Sequence, residues 1–126
     1  MNTPLKRVIY RPLNEADEYL SEERCHILEL ANLADDPELS IARARVSAGV
    51  ITRPHSLKGT AERYVILEGQ GRALIGDAPA QEVGPGDVLL IPAEVSQQIE
   101  NIGAADLVFL CLCTPRFRWE NYRALD

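Results

Sequence analysis

Histidine is scarce in this 126-residue chain, with two copies, and cysteine comes to an odd three. Two histidines give little from which to assemble a Ser-His-Asp set, and His26 lies far in sequence from the motifs described below. Three cysteines without zinc-finger spacing imply neither a disulfide framework nor a structural zinc site. Cys111 and Cys113 lie two apart in the apolar run Leu107 to Cys113, so a strand turns both to one side, where small buried hydrophobes are the ordinary outcome. No apolar run approaches the ~18 residues of a membrane span, and Met1 to Arg7 lacks the apolar core of a secretory signal, so the expected address is the cytoplasm. Basic residues number 13 against 19 acidic ones, giving a formal charge of -6 and a pI near 4.9. A chain of that balance, with no clustered basic surface, is expected to have no nucleic-acid partner. Helix signals are few, and no glycine-rich turn leads into a helix that would cradle phosphate.

What the sequence does contain is a succession of short apolar or alternating runs separated by turn residues. Strands are expected at Arg7 to Tyr10, Arg24 to Leu30, Ser40 to Ser47, Val50 to Arg53, Arg63 to Glu68, Gly71 to Ile75, Gln81 to Val83, Val88 to Ile91, Gln97 to Asn101 and Leu107 to Cys113. Gly69-Gln70-Gly71 reads as a tight hairpin and Gly76-Asp77-Ala78-Pro79 as a second turn, which together give a meander of paired strands. Asn14 to Ser21, an Asn ahead of acidic residues, reads as one short helix. The pattern is that of an all-β barrel or sandwich in one domain spanning residues 1–126, with its core at about 40–113. The last stretch carries Phe117, Trp119 and Tyr122 after Pro115, an aromatic tail expected to pack on the barrel or on a second subunit.

Two spaced motifs sharpen this picture. Gly49, His55, Glu62 and Gly69 fall at the spacing Gly, five residues, His-x-His, four residues, Glu, six residues, Gly, with Leu57 at the second histidine position. Further on, Gly86, Pro92 and Asn101 fit the spacing Gly, five residues, Pro-x-Gly, two residues, His, three residues, Asn, with Glu94 in place of the glycine and Gln97 in place of the histidine. In this order and spacing the two segments resemble the paired motifs of the cupin superfamily, of the small single-domain kind. The resemblance implies an antiparallel double-stranded β-helix, or jelly-roll barrel. It also implies a metal held inside that barrel by the first motif's histidines and glutamate and the second motif's histidine. Carried over residue by residue, the implied ligands are His55, Glu62 and Gln97, since Leu57 cannot ligate.

One imidazole nitrogen and two oxygen donors form a coherent but weak set for Mn, Fe, Ni or Zn, because an amide oxygen is a poorer donor than imidazole. A metal so held would serve an oxygenase, isomerase or lyase acting on a small molecule. The alternative is a metal-free pocket, either a non-catalytic module that captures a small metabolite or anion, or one in which His55 and Glu62 bond each other or act as acid and base. Arg43 and Arg45 alternate with Ala42, Ala44 and Val46: turned inward the arginines would clamp an anion, turned outward they would pair with surface acids. Tyr64 shares a strand face with Glu62 and either orients the site or fills barrel volume. The resemblance further implies a homodimer, with Arg7 to Tyr10 and the aromatic tail suited to the contact.

Overall fold

A computed structural model describes residues 5–126, so Met1 to Pro4 lie outside the described residues. The strands are β1 (Tyr19–Leu20), β2 (His26–Ala31), β3 (Ser40–Val46), β4 (His55–Leu57), β5 (Ala61–Glu68), β6 (Gly71–Ile75), β7 (Gln81–Val83), β8 (Val88–Ile91), β9 (Gln97–Asn101), β10 (Leu107–Thr114) and β11 (Tyr122–Ala124). They form a six-stranded sheet in the order β1-β2-β3-β10-β5-β8 and a five-stranded sheet in the order β11-β4-β9-β6-β7. The pairings are antiparallel, and the two inner faces enclose the core. The fold is therefore the all-β jelly roll that the two motifs imply.

Alternation along the strands dictates what the barrel encloses. On β3, Ala44 and Val46 are buried, whereas Arg43 and Arg45 point outward. β10 runs between β3 and β5, and its register sets cross-sheet rows of side chains. Phe109 stands between Ala44 and Ile66, Cys111 between Ala42 and Tyr64, and Cys113 between Ser40 and Glu62. Toward one end these rows are wholly apolar, with Val46, Ile66, Ile99, Leu107 and Phe109 removed from solvent. Toward the other end the same inward positions are Cys113, Glu62 and Ser40, so one end of the barrel is greasy and the opposite end polar.

Asn101 closes the apolar end. Its Nδ2 donates to the carbonyls of Val46 and Ala105, each at 2.8 Å, and its Oδ1 accepts the Gly103 N–H at 2.9 Å, so the second motif's last residue ties the end of β3 to the loop between β9 and β10. A buried amide satisfied on both sides in this way fixes loop positions rather than meeting a ligand.

Several sequence expectations need correcting. No strand forms at Arg7 to Tyr10, where Val8 and Tyr10 remain largely exposed and so gain nothing from pairing. Val50 to Arg53 contributes one isolated bridge, Ile51 to Glu100, because Thr52 uses both its N–H and its hydroxyl on Ile99. The helix expected at Asn14 to Ser21 is a single 3-10 turn, Glu15–Asp17, which Asn14 does cap. It ends there because Glu18 is drawn into ion pairs with Arg43 and Arg45, and Tyr19–Leu20 pairs with β2. Gly69-Gln70-Gly71 is not a hairpin but the crossing from one sheet to the other, since β5 pairs with β10 and β8, and β6 with β7 and β9. The Gly76 turn does join a pair, β6 and β7.

Gly69 has φ +86, and a Cβ there would stand 2.5 Å from the Asp106 carbonyl oxygen and 2.9 Å from Leu107 Cα, both backbone. Gly49 has φ +77 with nothing within 4 Å of the same atom. Gly69→Ala is therefore expected to cost about 2–4 kcal/mol and Gly49→Ala about 1 kcal/mol, measured by urea denaturation. Equal costs would show that the crossing is not held by this backbone approach.

Candidate functional site

The polar end of the barrel opens into a cavity of about 50 Å³ between the two sheets. Space on that scale admits a few water-sized groups or the compact head of a larger molecule. β5 contributes Glu62 and Tyr64, β10 contributes Cys111 and Cys113, β4 contributes His55 and Leu57, and the turn before β2 contributes Glu23.

His55 faces inward because β4 is a short strand held on both sides, by β9 through Gln97 and by β11 through Ala124. The ring is nearly inaccessible and stacks on Tyr122, with ring centroids 5.0 Å apart. Its Nδ1 lies 3.1 Å from the Arg53 carbonyl. A carbonyl only accepts, so Nδ1 carries the proton and Nε2 is the free position. Nε2 lies 3.1 Å from Glu23 Oε2. Two atoms that both accept when deprotonated approach this closely only with a proton between them, so imidazole and carboxylate hold one proton in common.

Glu62 is buried, and the hydrogen bond it accepts at Oε2 comes from the Cys113 thiol at 3.5 Å, a weak donor. Burial, reinforced by the Glu23 charge, pushes its carboxyl up to about 7, against the opposing pull of bonds from Cys113, Gln97 and Cys111. Burial also raises Glu23, with the His55 charge working the other way. The thiols of Cys25, Cys111 and Cys113 are pushed up chiefly by burial and stay neutral, as small hydrophobes do. Tyr64 is raised by burial and by the neighbouring Glu62, and its hydroxyl donates to Gln97 Oε1.

His55, Glu62 and Gln97 thus all lie in the barrel interior, but the structure gives each a partner other than a shared ligand point. His55 Nε2 is on Glu23, Glu62 is on the Cys113 thiol, and the Gln97 amide oxygen is taken by Tyr64. Leu57 is buried beside them. Among the described residues no group of three or more His, Cys, Asp or Glu side chains is arranged to hold a metal ion. As folded, the donors do not fit the metal that the motifs imply.

Arg43 and Arg45 do not reach the cavity, which corrects the inward anion clamp. Strand alternation assigns the inner face to Ala42, Ala44 and Val46, and outside the barrel Arg43 pairs with Glu15 and Glu18, and Arg45 with Glu18 and Asp106. The two guanidiniums hold Glu18 down to about 2, Arg45 more strongly than Arg43, and pin the N-terminal turn to the sheet.

Sequence reading overlooked Glu23. Its signal was slight: Ser21, whose hydroxyl accepts the Glu23 N–H at 3.3 Å, and Arg24 with φ 68 make a turn that only coordinates reveal to lie over His55. The Arg53 N–H donates to the Glu23 carbonyl at 3.1 Å and locks that turn to the approach of β4. The aromatic tail does more than pack, because Phe117, Trp119 and Tyr122 form one wall of the cavity. β11 anchors that wall by pairing with β4, and the Arg53–Asp126 ion pair at 2.8 Å holds its end.

Comparison with known proteins places this geometry. KdgF from Halomonas sp. superposes with a TM-score of 0.75 at 16% identity, covering 86% of this chain and 96% of its own. The nucleoside dehydratase Pac13 of Streptomyces does so with a TM-score of 0.75 at 14% identity, covering 93% and 92%. A predicted oxalate decarboxylase from Thermotoga maritima reaches a TM-score of 0.66 at 26% identity, covering 72% and 80%. A search of curated proteins finds no significant match. No helix among the described residues is long and apolar enough to cross a membrane. The sequence profile of the cupin domain matches residues 43–113, which hold both motifs, while Glu23 and the aromatic wall of the cavity lie outside it; this chain is a member of the cupin family.

Proposed function

We propose that this protein binds a small polar organic molecule in the barrel cavity and moves a proton on it, as an isomerase or lyase would, using acid–base groups of its own. The observation that carries this reading is the 3.1 Å approach of His55 Nε2 to Glu23 Oε2 in a cavity that Glu62 also lines. Isomerisation and elimination both need a group that takes a proton from one atom and another that delivers a proton elsewhere. A carboxyl displaced to about 7 is poised for either role near neutrality. Tyr122, stacked on the ring, and the Arg53 carbonyl fix the imidazole tautomer and plane, so that Nε2 is the atom turned to Glu23 and the pair acts as one acid–base unit. The nucleoside dehydratase among the structural neighbours has an activity of this general class, although the likeness itself extends to the fold alone.

The same groups make stability depend on pH. In the folded state Glu62 keeps its proton up to about 7, whereas in the unfolded chain it releases it near 4.5. The folded state therefore binds more protons between those values, and stability falls as pH rises through that window, then levels off above it. A displacement of this size corresponds to at most about 3 kcal/mol. Glu23, also raised, adds with the same sign. Glu62→Gln removes the Glu62 part. We expect the variant to match the parent near pH 4.5, to exceed its stability by about 1–3 kcal/mol at pH 8, and to show a flatter profile, measured by denaturant melts across that range. Parallel profiles would mean that Glu62 does not carry the displaced proton.

Turnover is tested by incubating the protein in D₂O with a panel of small polyols, amino alcohols, aldoses and nucleosides and following deuterium uptake or loss of water by NMR. The expected result is turnover that persists in EDTA and falls about 100-fold or more in His55→Gln and in Glu23→Gln. Turnover that requires an added divalent ion, or that survives His55→Gln, would replace this reading with a metal-dependent one or remove His55 from it.

A further inference from the structure

The cavity's charge is as informative as its acid–base pair. Three glutamates line it, Glu23, Glu29 and Glu62, against the one imidazole of His55, and no Lys or Arg is among the described residues that do so. The nearest guanidiniums act from outside: Arg116 bonds the Asn32 side chain and faces Glu29, while Arg53 is committed to Asp126. Glu29 Oε2 and Tyr122 Oη are buried without a hydrogen-bond partner among the described residues, so the cavity wall offers two unsatisfied polar atoms.

Around the mouth the rings form a connected series. Phe117 meets Trp119 edge to face at 4.9 Å, Trp119 meets Tyr122 at 5.2 Å, and Tyr122 stacks on His55 at 5.0 Å. Trp119 is 45% exposed, so this series runs from solvent to the buried imidazole. Aromatic faces attract cations through the ring quadrupole, and carboxylates in a poorly solvated cavity attract them more strongly still. An anion meets the opposite: negative ring faces, three acidic side chains and no Lys or Arg among the described lining residues.

We infer that the ligand of this cavity is an organic ammonium carrying a flat or ring-shaped body. Its amine head sits against Glu23, Glu29 and Glu62, and its body lies against Trp119 and Tyr122 at the mouth. The inference rests on the reading of this cavity as the ligand site and narrows the substrate class for it. The small volume suits a primary amine head, which also supplies donors for the unsatisfied Glu29 oxygen and Tyr122 hydroxyl. A carboxylate or phosphate metabolite finds no Lys or Arg among the described residues of the same lining.

Three probes of one shape and different charge test it: benzylamine, benzyl alcohol and benzoate, each added to the full chain in EDTA. Trp119 is the sole tryptophan, so its fluorescence reports the mouth directly, with calorimetry as the second readout. Benzylamine is expected to bind about tenfold or more tightly than benzyl alcohol, and benzoate not measurably. In Glu29→Gln and Glu62→Gln the preference for benzylamine over benzyl alcohol should shrink, and Trp119→Leu, followed by calorimetry, should weaken both. Trp119 and Glu29 are at least partly solvent-facing, so these two variants keep the fold even if the Glu62 variant does not. Equal binding of all three probes, preference for benzoate, or no binding at all would overturn the inference. Turnover of a neutral substrate without ammonium preference would remove this inference and leave the acid–base reading standing. Ammonium preference without turnover on any substrate would do the reverse.

Discussion

The register of β10 against β3 and β5 is the constraint from which the rest follows. A one-residue slip of β10 would turn Leu107, Phe109, Cys111 and Cys113 outward and bring Val108, Leu110 and Leu112 against Ala44, Ile66 and Tyr64. The register holds because one end of the inward rows is entirely apolar. Val46, Ile66, Leu107 and Phe109 can be buried together in one alignment alone, and that alignment carries Glu62 and Cys113 into the interior at the other end. The apolar half thus fixes the placement of a carboxylate that would otherwise avoid burial. Folding energy from one end of the barrel sustains an electrostatically costly arrangement at the other.

How much of this was legible in the sequence varied with how local the determinant is. Ser40 to Val46, Gly71 to Ile75, Gln81 to Val83, Val88 to Ile91 and Gln97 to Asn101 could be read directly, because alternation and flanking turn residues define a strand without knowledge of its partner. β4 and β11 could not. His-Ser-Leu becomes a strand by lying between Tyr-Arg-Ala, sixty-odd residues away, and β9, and nothing within either triplet announces it. The motif spacing correctly brought His55 and Glu62 into the interior, since it counts residues along adjoining strands. It said nothing of what they would bond there. Glu23 enters from a turn, and Tyr64 claims the Gln97 amide from across the barrel, both contacts between residues whose proximity only the closed fold creates.

The departures from the family pattern form a consistent set once placed in space. Leu57 makes one ligand position apolar, and Gln97 turns another into a neutral amide that serves Tyr64. Glu23, which is no part of either motif, occupies the free nitrogen of His55. A site that has exchanged coordinating imidazoles for an amide, an aliphatic chain and an extra carboxylate retains its position and its polarity. What alters is the set of groups it presents, in which a carboxyl and an amide stand where coordinating imidazoles would have been.

The order of strands within the sheets carries a further meaning. The longest members, β3, β10 and β5, lie in the middle of their sheet, whereas the margins are two residues at β1, four at β8 and three each at β7 and β11. A neighbouring molecule seeking to extend either sheet would find so few free backbone groups that template-driven fibre growth has no purchase. The barrel should therefore withstand the high concentrations of protein at which longer, flatter margins would invite stacking.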